Sequence, residues 1–234
     1  MPTELKNSLL TALLALVFGF LGAAIWSYAG LADNRTKSYL IDNPSILQDV
    51  AEALAEEQAR ERLADVGDEL YRPFPGAIIG NPEGSKTMVE FSDYNCGFCE
   101  ASLADVQRLV SEDPDLKVVI RELPLLDISS EEAARMALAA GLQGKYRPFH
   151  EALFGMGDTS PEGIEAAARA VGLDLERARA DAASDQVSVE IARNVSMARA
   201  LGFNGTPGFI AGDIPLPGAV GYERLKEALA DSEG

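Results

Sequence analysis

Cysteine and histidine are scarce in this sequence. Its 234 residues include two cysteines, Cys96 and Cys99, and one histidine, His150. A structural disulfide framework needs more cysteines at wider spacings, and two thiols three positions apart close almost no loop. A structural zinc site takes four ligands, and these side chains number only three. The scarcity therefore leaves chemical reactivity as the better explanation of the cysteine pair.

Basic residues are also few. The chain carries 20 lysines and arginines against 37 aspartates and glutamates, which gives a formal net charge of −17. A phosphate backbone would repel such a surface, so the composition argues against nucleic acid as a partner. The acidic excess is typical of a solvated protein face. The length allows one ordinary domain with an appendage.

No charged residue interrupts the segment from Ser8 to Leu31, which reads SLLTALLALVFGFLGAAIWSYAGL. A membrane-spanning helix needs about 20 apolar residues, and aromatic rings such as that of Trp26 favour the membrane interface. We predict that residues 1–32 form an uncleaved signal anchor. The alternative is a cleaved signal peptide, with Gly30-Leu31-Ala32 as a small-x-small cleavage site. Both place the remainder outside the cytoplasm if the N terminus stays inside.

The next segment carries a helix-start signal and an apolar stripe. Asn43 suits the N-cap and Pro44 the first helical position. The apolar positions of the stripe are Leu40, Ile46, Leu47, Val50 and Leu54. We predict a helical arm over residues 33–72, which buries this stripe against the domain or against a second copy of the chain. A proline- and glycine-rich segment, RPFPG at residues 72–76, marks the end of the arm.

Strand and helix patterns alternate beyond the arm. Two mostly apolar segments, Lys86–Ser92 and Leu116–Leu123, predict strands, and the segment from Cys96 to Val110 between them has helical spacing. This order predicts a parallel βαβ unit within an α/β fold. We also expect a short strand at 77–79 and a long alanine-rich helical region over about 129–201. Strands at 208–211 and near 214–216 and a final helix at 222–230 complete the prediction.

The cysteine pair, CGFC, lies directly after a predicted strand and at the start of a predicted helix. A helix N terminus stabilises a thiolate through its unpaired N–H groups and the helix dipole. We therefore expect Cys96 to be the nucleophile. Cys99 lies one turn into the helix and is expected to be the resolving thiol that releases a mixed disulfide.

At this point the sequence resembles the DsbA-like branch of the thioredoxin superfamily, and within it the suppressor-of-copper-sensitivity C type (ScsC). The resemblance is carried by VEFSDYNCGFC, QGKYRPFHEAL, NGTPGFIAGD and LPGAV, and it covers the chain from about residue 43 onward. It implies a thioredoxin-like fold over 73–234, with a helical domain inserted at about 127–202. It also implies that the N-terminal arm oligomerises.

The resemblance extends to individual residues. It implies that Pro207 follows a cis peptide bond, and that Thr206 lies against the cysteine pair. Glu90, six residues before Cys96, corresponds to a buried acid that mediates proton transfer for Cys99. Neither a metal nor a cofactor is implied beyond the redox-active disulfide Cys96–Cys99. Of the residues outside this set, we interpret the lone histidine as structural.

The resulting functional prediction is thiol–disulfide exchange on cysteine-containing proteins, by a domain in the periplasm anchored in the bacterial inner membrane. We expect a homo-oligomeric isomerase or reductase, kept reduced by a DsbD-like or ScsB-like membrane reductant. A DsbA-like oxidase, recharged by a DsbB-like membrane oxidant, is the first alternative. A copper-binding thiol protein is the second, since two thiolates are soft ligands. A non-catalytic binding protein with a local disulfide is the third.

Overall fold

The computed structural model describes residues 3–28 and 31–231. The chain divides into two compact units, with the boundary between Ala55 and Glu56. The first unit is helical, and the second contains the only sheet of the described residues together with the cysteine pair.

The first unit begins with a long apolar helix, α1 (Thr3–Tyr28). Its segment Asn7–Trp26 has a mean hydropathy of 2.3, and none of it is buried in the single chain. Among the described residues this is the one helix long and apolar enough to cross a membrane. Most of the predicted anchor lies on it; Ala29 and Gly30 lie outside the described residues.

The predicted arm contains two helices, α2 (Leu31–Asp42) and α3 (Ser45–Val66), separated by Asn43 and Pro44. The C-terminal part of the apolar stripe is uncovered in the single chain: Leu47, Val50 and Leu54 are 54%, 59% and 52% exposed. Such exposure is costly for aliphatic side chains. An uncovered stripe is what a contact with another molecule would require.

The sheet has the strand order β1-β3-β2-β4-β5. The two central strands, β2 and β3, are parallel and are joined by helix α4 (Gly97–Glu112), which confirms the predicted βαβ unit. All other strand pairs are antiparallel. The strands are β1 (Ile78–Gly80), β2 (Lys86–Ser92), β3 (Leu116–Glu122), β4 (Gly208–Ala211) and β5 (Ile214–Pro217).

The predicted helical insertion lies between β3 and β4, as expected for the DsbA-like fold. It consists of five helices, separated by short connections. Left-handed glycines end two of them, Gly157 with a φ of 61° and Gly202 with a φ of 80°. A final helix, α10 (Tyr222–Asp231), follows the sheet. The inserted helices are α5 (Ile128–Leu142), α6 (Tyr146–Met156), α7 (Pro161–Ala170), α8 (Leu175–Ala182) and α9 (Asp185–Leu201).

Side chains along β2 point alternately into two hydrophobic cores, one on each face of the sheet. Met88 packs into the larger core, which contains both cysteines, and Val89 packs into the smaller core on the opposite face. Leu63 and Leu70 belong to the smaller core and are 8% and 0% exposed. Residues 56–72, the last part of the predicted arm, therefore lie in the second compact unit, with the thioredoxin-like domain.

A buried arginine on β3 holds the end of the arm in place. Arg121 is 1% exposed, and its guanidinium lies 2.6 Å from Glu190 Oε1 on α9. It also donates to the carbonyl oxygens of Glu69, Leu70 and Arg72, at 2.5, 3.0 and 2.6 Å. A buried charge is tolerated only when it is paired and hydrogen-bonded. Arg121 thereby joins β3, α9 and the chain that leads into the domain.

The first prediction concerns this ion pair. Replacing Arg121 with methionine removes the buried partner of Glu190, which keeps only the half-exposed Arg193 at 3.3 Å. It also removes the donor to three backbone carbonyls, so we expect the free energy of unfolding to fall by about 3–5 kcal/mol. Urea unfolding followed by circular dichroism measures it. The matched control is Arg147→Met, since Arg147 forms a half-exposed pair with Glu151, and there we expect a loss of less than about 1 kcal/mol. Equal losses in the two variants would contradict the prediction.

Candidate active site

The loop between β2 and α4 is fixed by a buried carboxylate. Asp93 is 1% exposed, and its Oδ1 accepts a hydrogen bond from the Asn95 amide at 2.9 Å. Its Oδ2 accepts from the amides of Leu125 and Leu126, at 2.8 and 3.1 Å. The Asp93 carbonyl accepts from the Cys96 amide at 3.1 Å. Three backbone donors on one carboxylate therefore hold the segment that delivers Cys96.

Cys96 is the N-cap residue of α4, and Cys99 lies in its first turn. The Cys96 carbonyl accepts from the amides of Cys99 and Glu100, at 3.0 and 3.1 Å. Both cysteines carry free thiols, and they are 6% and 1% exposed. The exposed ring of Phe98, between them, is turned to solvent at 69% exposure. The helix thus presents Cys96 at its tip and keeps Cys99 inside.

The segment before β4 reaches the same point from the far end of the sequence. The Cys96 thiol donates to the Thr206 carbonyl at 3.2 Å, and the Thr206–Pro207 peptide bond is cis. The Thr206 Oγ1 atom is buried without a hydrogen-bond partner of normal geometry. The structure therefore brings Cys96, Thr206 and Pro207 together across 110 residues of sequence.

The two thiols have different surroundings. Burial raises the pKa of the Cys99 thiol far above its ordinary value, and the charge of Glu90 raises it further. Cys99 is therefore a protonated thiol at neutral pH, and a proton acceptor is needed before it can attack a disulfide.

Glu90 has the position and the proton affinity expected of such an acceptor. It lies on the central strand β2, opposite Ile120 of β3 and Phe209 of β4, and it is 3% exposed. Burial raises its pKa from 4.5 to about 7. A carboxyl with that pKa gains and loses a proton readily near neutral pH.

A second buried acid, Glu122, was missed in the sequence. It ends β3, is 0% exposed, and accepts hydrogen bonds at Oε1 from Tyr146 at 2.5 Å and Tyr94 at 3.1 Å. The Tyr94 hydroxyl also lies 2.9 Å from His150 Nδ1. Burial raises the pKa of Glu122 to about 8 and lowers that of His150 to about 3. The sequence did contain a signal for Glu122, since it is a carboxylate at the end of a strand predicted to be parallel to β2. The ends of neighbouring parallel strands lie at the same edge of a sheet.

The family of DSBA-like thioredoxin domains matches residues 87–230, which include the cysteine pair and the whole insertion. The chain belongs to this family. Its fold, its free thiols and its helix-capping cysteine agree with that membership.

Solved structures support the assignment. A thioredoxin-like oxidoreductase from Silicibacter pomeroyi is 44% identical, with a TM-score of 0.68 over 71% of this chain and 97% of that one. The thiol–disulfide exchange protein α-DsbA2 from Wolbachia pipientis is 28% identical, with a TM-score of 0.68 over 74% and 95%. The catalytic domain of ScsC from Proteus mirabilis is 27% identical, with a TM-score of 0.66 over 74% and 97%. The resemblance to ScsC found in the sequence is thus confirmed in the fold.

The curated relatives that match this sequence are named as antiporters and not as oxidoreductases. A Na⁺/H⁺ antiporter, NhaA 1 of Salinispora arenicola, is 31% identical over 158 residues, which are 66% of this chain. The chain spans about a quarter of the length of the curated relatives it matches, 24% for this one. The described residues contain a single helix able to cross a membrane. The similarity therefore concerns only a part of the antiporters' length.

The second prediction uses the proton affinity of Glu90. Because its pKa is raised in the fold, its stabilising contribution is complete below pH 4.5 and is lost as the pH rises through 7. This loss amounts to about 3 kcal/mol. Glutamine cannot ionise, so the free energy of unfolding of Glu90→Gln relative to the unmodified chain should rise by about that amount between acidic and alkaline pH.

Urea unfolding across this pH range measures the difference. Glu176→Gln, an identical change at an exposed position of α8, serves as the control and should show a flat difference. A flat difference for Glu90→Gln as well would mean that Glu90 titrates normally.

Proposed function

We propose that this chain exchanges disulfides in cysteine-containing proteins through Cys96 and Cys99, and that it works as a disulfide isomerase or reductase. The observation that supports this best is the position of the Cys96 thiol, on the Thr206 carbonyl at 3.2 Å and at the tip of α4. An extended substrate segment can approach there, because the backbone before Pro207 lies beside the nucleophile. Cys99 is one turn away and buried, as a resolving thiol requires.

The reaction proceeds in two exchanges. The Cys96 thiolate attacks one sulfur of a substrate disulfide, and the other substrate sulfur leaves as a thiolate, which produces a mixed disulfide. Cys99 then gives its proton to Glu90 and attacks Cys96 Sγ. The bond to the substrate breaks, the substrate leaves as a thiolate, and a Cys96–Cys99 disulfide forms. This outcome reduces the substrate by two electrons and oxidises the enzyme.

Isomerisation takes another exit from the same mixed disulfide. A second thiolate of the substrate attacks the substrate sulfur bound to Cys96, forms a new disulfide within the substrate, and releases Cys96. This exit competes with Cys99. The raised pKa of the buried Cys99 thiol slows its attack and prolongs the mixed disulfide. A longer-lived mixed disulfide supports the proposal of rearrangement within the substrate.

Features of the first compact unit support a membrane location and an oligomeric assembly. An apolar α1 fits an inner-membrane anchor, with the catalytic domain held in the periplasm. The exposed stripe on α3 fits an interface with further copies of the chain, which would surround a substrate with several Cys96 thiols. A reductase or isomerase also needs a membrane electron donor. This donor reduces the Cys96–Cys99 disulfide each time that Cys99 has resolved a mixed disulfide.

The third prediction tests the division of labour between the thiols. Cys99→Ala should accumulate a mixed disulfide with a scrambled, disulfide-bonded substrate protein, because Cys99 can no longer attack Cys96 Sγ and release the substrate. Cys96→Ala should form none, since the buried Cys99 thiol stays protonated. Non-reducing electrophoresis with mass spectrometry identifies the adduct. An adduct at Cys99 in the Cys96→Ala variant, in similar yield, would refute the assignment.

The fourth prediction tests the assembly. Changing Leu47 and Leu54 together to aspartate places charge on the stripe, so we expect a lower mass by light scattering in detergent. Reduction of a small disulfide should persist, and isomerisation of a scrambled protein should fall at least about fivefold, because the effective concentration of neighbouring sites is lost. The control changes two exposed glutamines of the same helix, Gln48 and Gln58, to aspartate.

The control adds the same charge to α3 and should keep both the mass and the isomerase activity. A monomer before any substitution, with full isomerase activity, would overturn the assembly. Net oxidation of reduced proteins by that monomer would identify the chain as an oxidase.

A further inference from the structure

Two buried acids of the central strands, Glu90 and Glu122, lie on the same face of the sheet. Glu90 on β2 is in register with Ile120 on β3, and Glu122 is the next β3 residue on the face that Ile120 occupies. Ile120 belongs to the core that contains both cysteines. Glu122 is therefore a diagonal neighbour of Glu90 on the side of the sheet that faces Cys99.

The hydrogen bonds around Glu122 converge on one of its oxygens. His150 is neutral, so its Nδ1 can donate to Tyr94, and the Tyr94 hydroxyl in turn donates to Glu122 Oε1. The Tyr146 hydroxyl donates to the same oxygen. These donors stabilise a carboxylate. The other oxygen, Oε2, is buried and has no hydrogen-bond partner among the described residues, so it is the free position for a proton.

We propose that Glu122 is a positioning residue for proton transfer: once ionised, it strengthens Glu90 as the base that accepts the proton of Cys99. The inference rests on the role proposed above for Glu90. When the proton moves from Cys99 to Glu90, negative charge leaves Glu90 and appears on sulfur. A second negative charge beside Glu90 favours that displacement, because like charges in a buried site repel.

The groups that face Glu122 are compatible with this role. From the loop before α4 come Asp93 and Tyr94, and from α6 come Tyr146 and His150. Glu90 is the neighbour on β2, and the repulsion between the two carboxyls contributes to the raised pKa of Glu122. The titration of Glu122 at about pH 8 follows that of Glu90 at about 7, so the effect appears on the alkaline side of neutrality.

Ellman's reagent separates the two exchanges in the full-length reduced protein. Cys96 attacks its disulfide and releases one thionitrobenzoate; Cys99 then resolves the mixed disulfide at Cys96 and releases the second. Stopped-flow absorbance therefore gives a fast phase for Cys96 and a second phase for Cys99. At about pH 6 Glu122 is neutral, and Glu122→Gln should match the unmodified protein in both phases. At about pH 9 its second phase should be about three- to tenfold slower, with the first phase unchanged.

Two companion variants make the result specific. Tyr146→Phe removes a hydrogen-bond donor to the ionised Glu122, which makes Glu122 harder to ionise. The increase in the second-phase rate with pH should therefore occur at a higher pH and reach the same final rate. Glu176→Gln, on the exposed face of α8, should change neither phase. If the second phase of Glu122→Gln is equally slow at both pH values, Glu122 has only a structural role. If it matches the unmodified protein at both pH values, Glu122 has no role in this step. Either result overturns the inference.

Glu90→Gln in the same experiment separates this inference from the function it rests on. A slow second phase in Glu90→Gln, together with no pH-dependent effect of Glu122→Gln, overturns the role of Glu122 alone. An unchanged second phase in Glu90→Gln overturns the proton-mediating role of Glu90, and the inference about Glu122 falls with it. Absence of a second phase in the unmodified protein would overturn the exchange through Cys96 and Cys99 itself.

Discussion

The parallel pairing of β2 with β3 is the constraint on which the rest of the domain depends. Its register places Glu90 and Glu122 on one face of the sheet, towards the cysteines, and Arg121 on the other. The crossover helix of this pair is α4, so the end of β2 also delivers Cys96 to a helix N terminus. A shift of one residue would exchange the two faces and bury the arginine beneath the active site.

Burial is the common cause of the unusual proton affinities at the site. It raises the pKa of Glu90, Glu122 and the Cys99 thiol, each of which would be charged in its deprotonated form. A low-dielectric environment opposes every one of those charges. The proposed thiol–disulfide exchange would benefit, because the buried Cys99 thiol would remain protonated until a neighbouring carboxylate accepted its proton.

Much of this architecture could be predicted from local pattern. The strands Lys86–Ser92 and Gly208–Ala211 have the predicted limits, because each is a short, mostly apolar segment between turn signals. The helical insertion was predicted as one region, whereas it contains five helices whose limits depend on caps and left-handed glycines. The end of the predicted arm packs into the domain, where Leu63 and Leu70 join the smaller core. The pattern of the arm alone does not identify that partner surface, because the surface is formed by residues distant in sequence.

The sequence by itself determined the cysteine pair, its place between a strand and a helix, and the apolar N-terminal segment, because these depend on residues close together in the chain. Only the tertiary structure decided which distant side chains meet that pair. Thr206 reaches Cys96 across 110 residues, and His150 reaches Tyr94 across 56. Glu122 reads in the sequence as an ordinary strand-end carboxylate. It becomes a neutral-range acid only because the fold buries it completely, against Tyr94 and Tyr146.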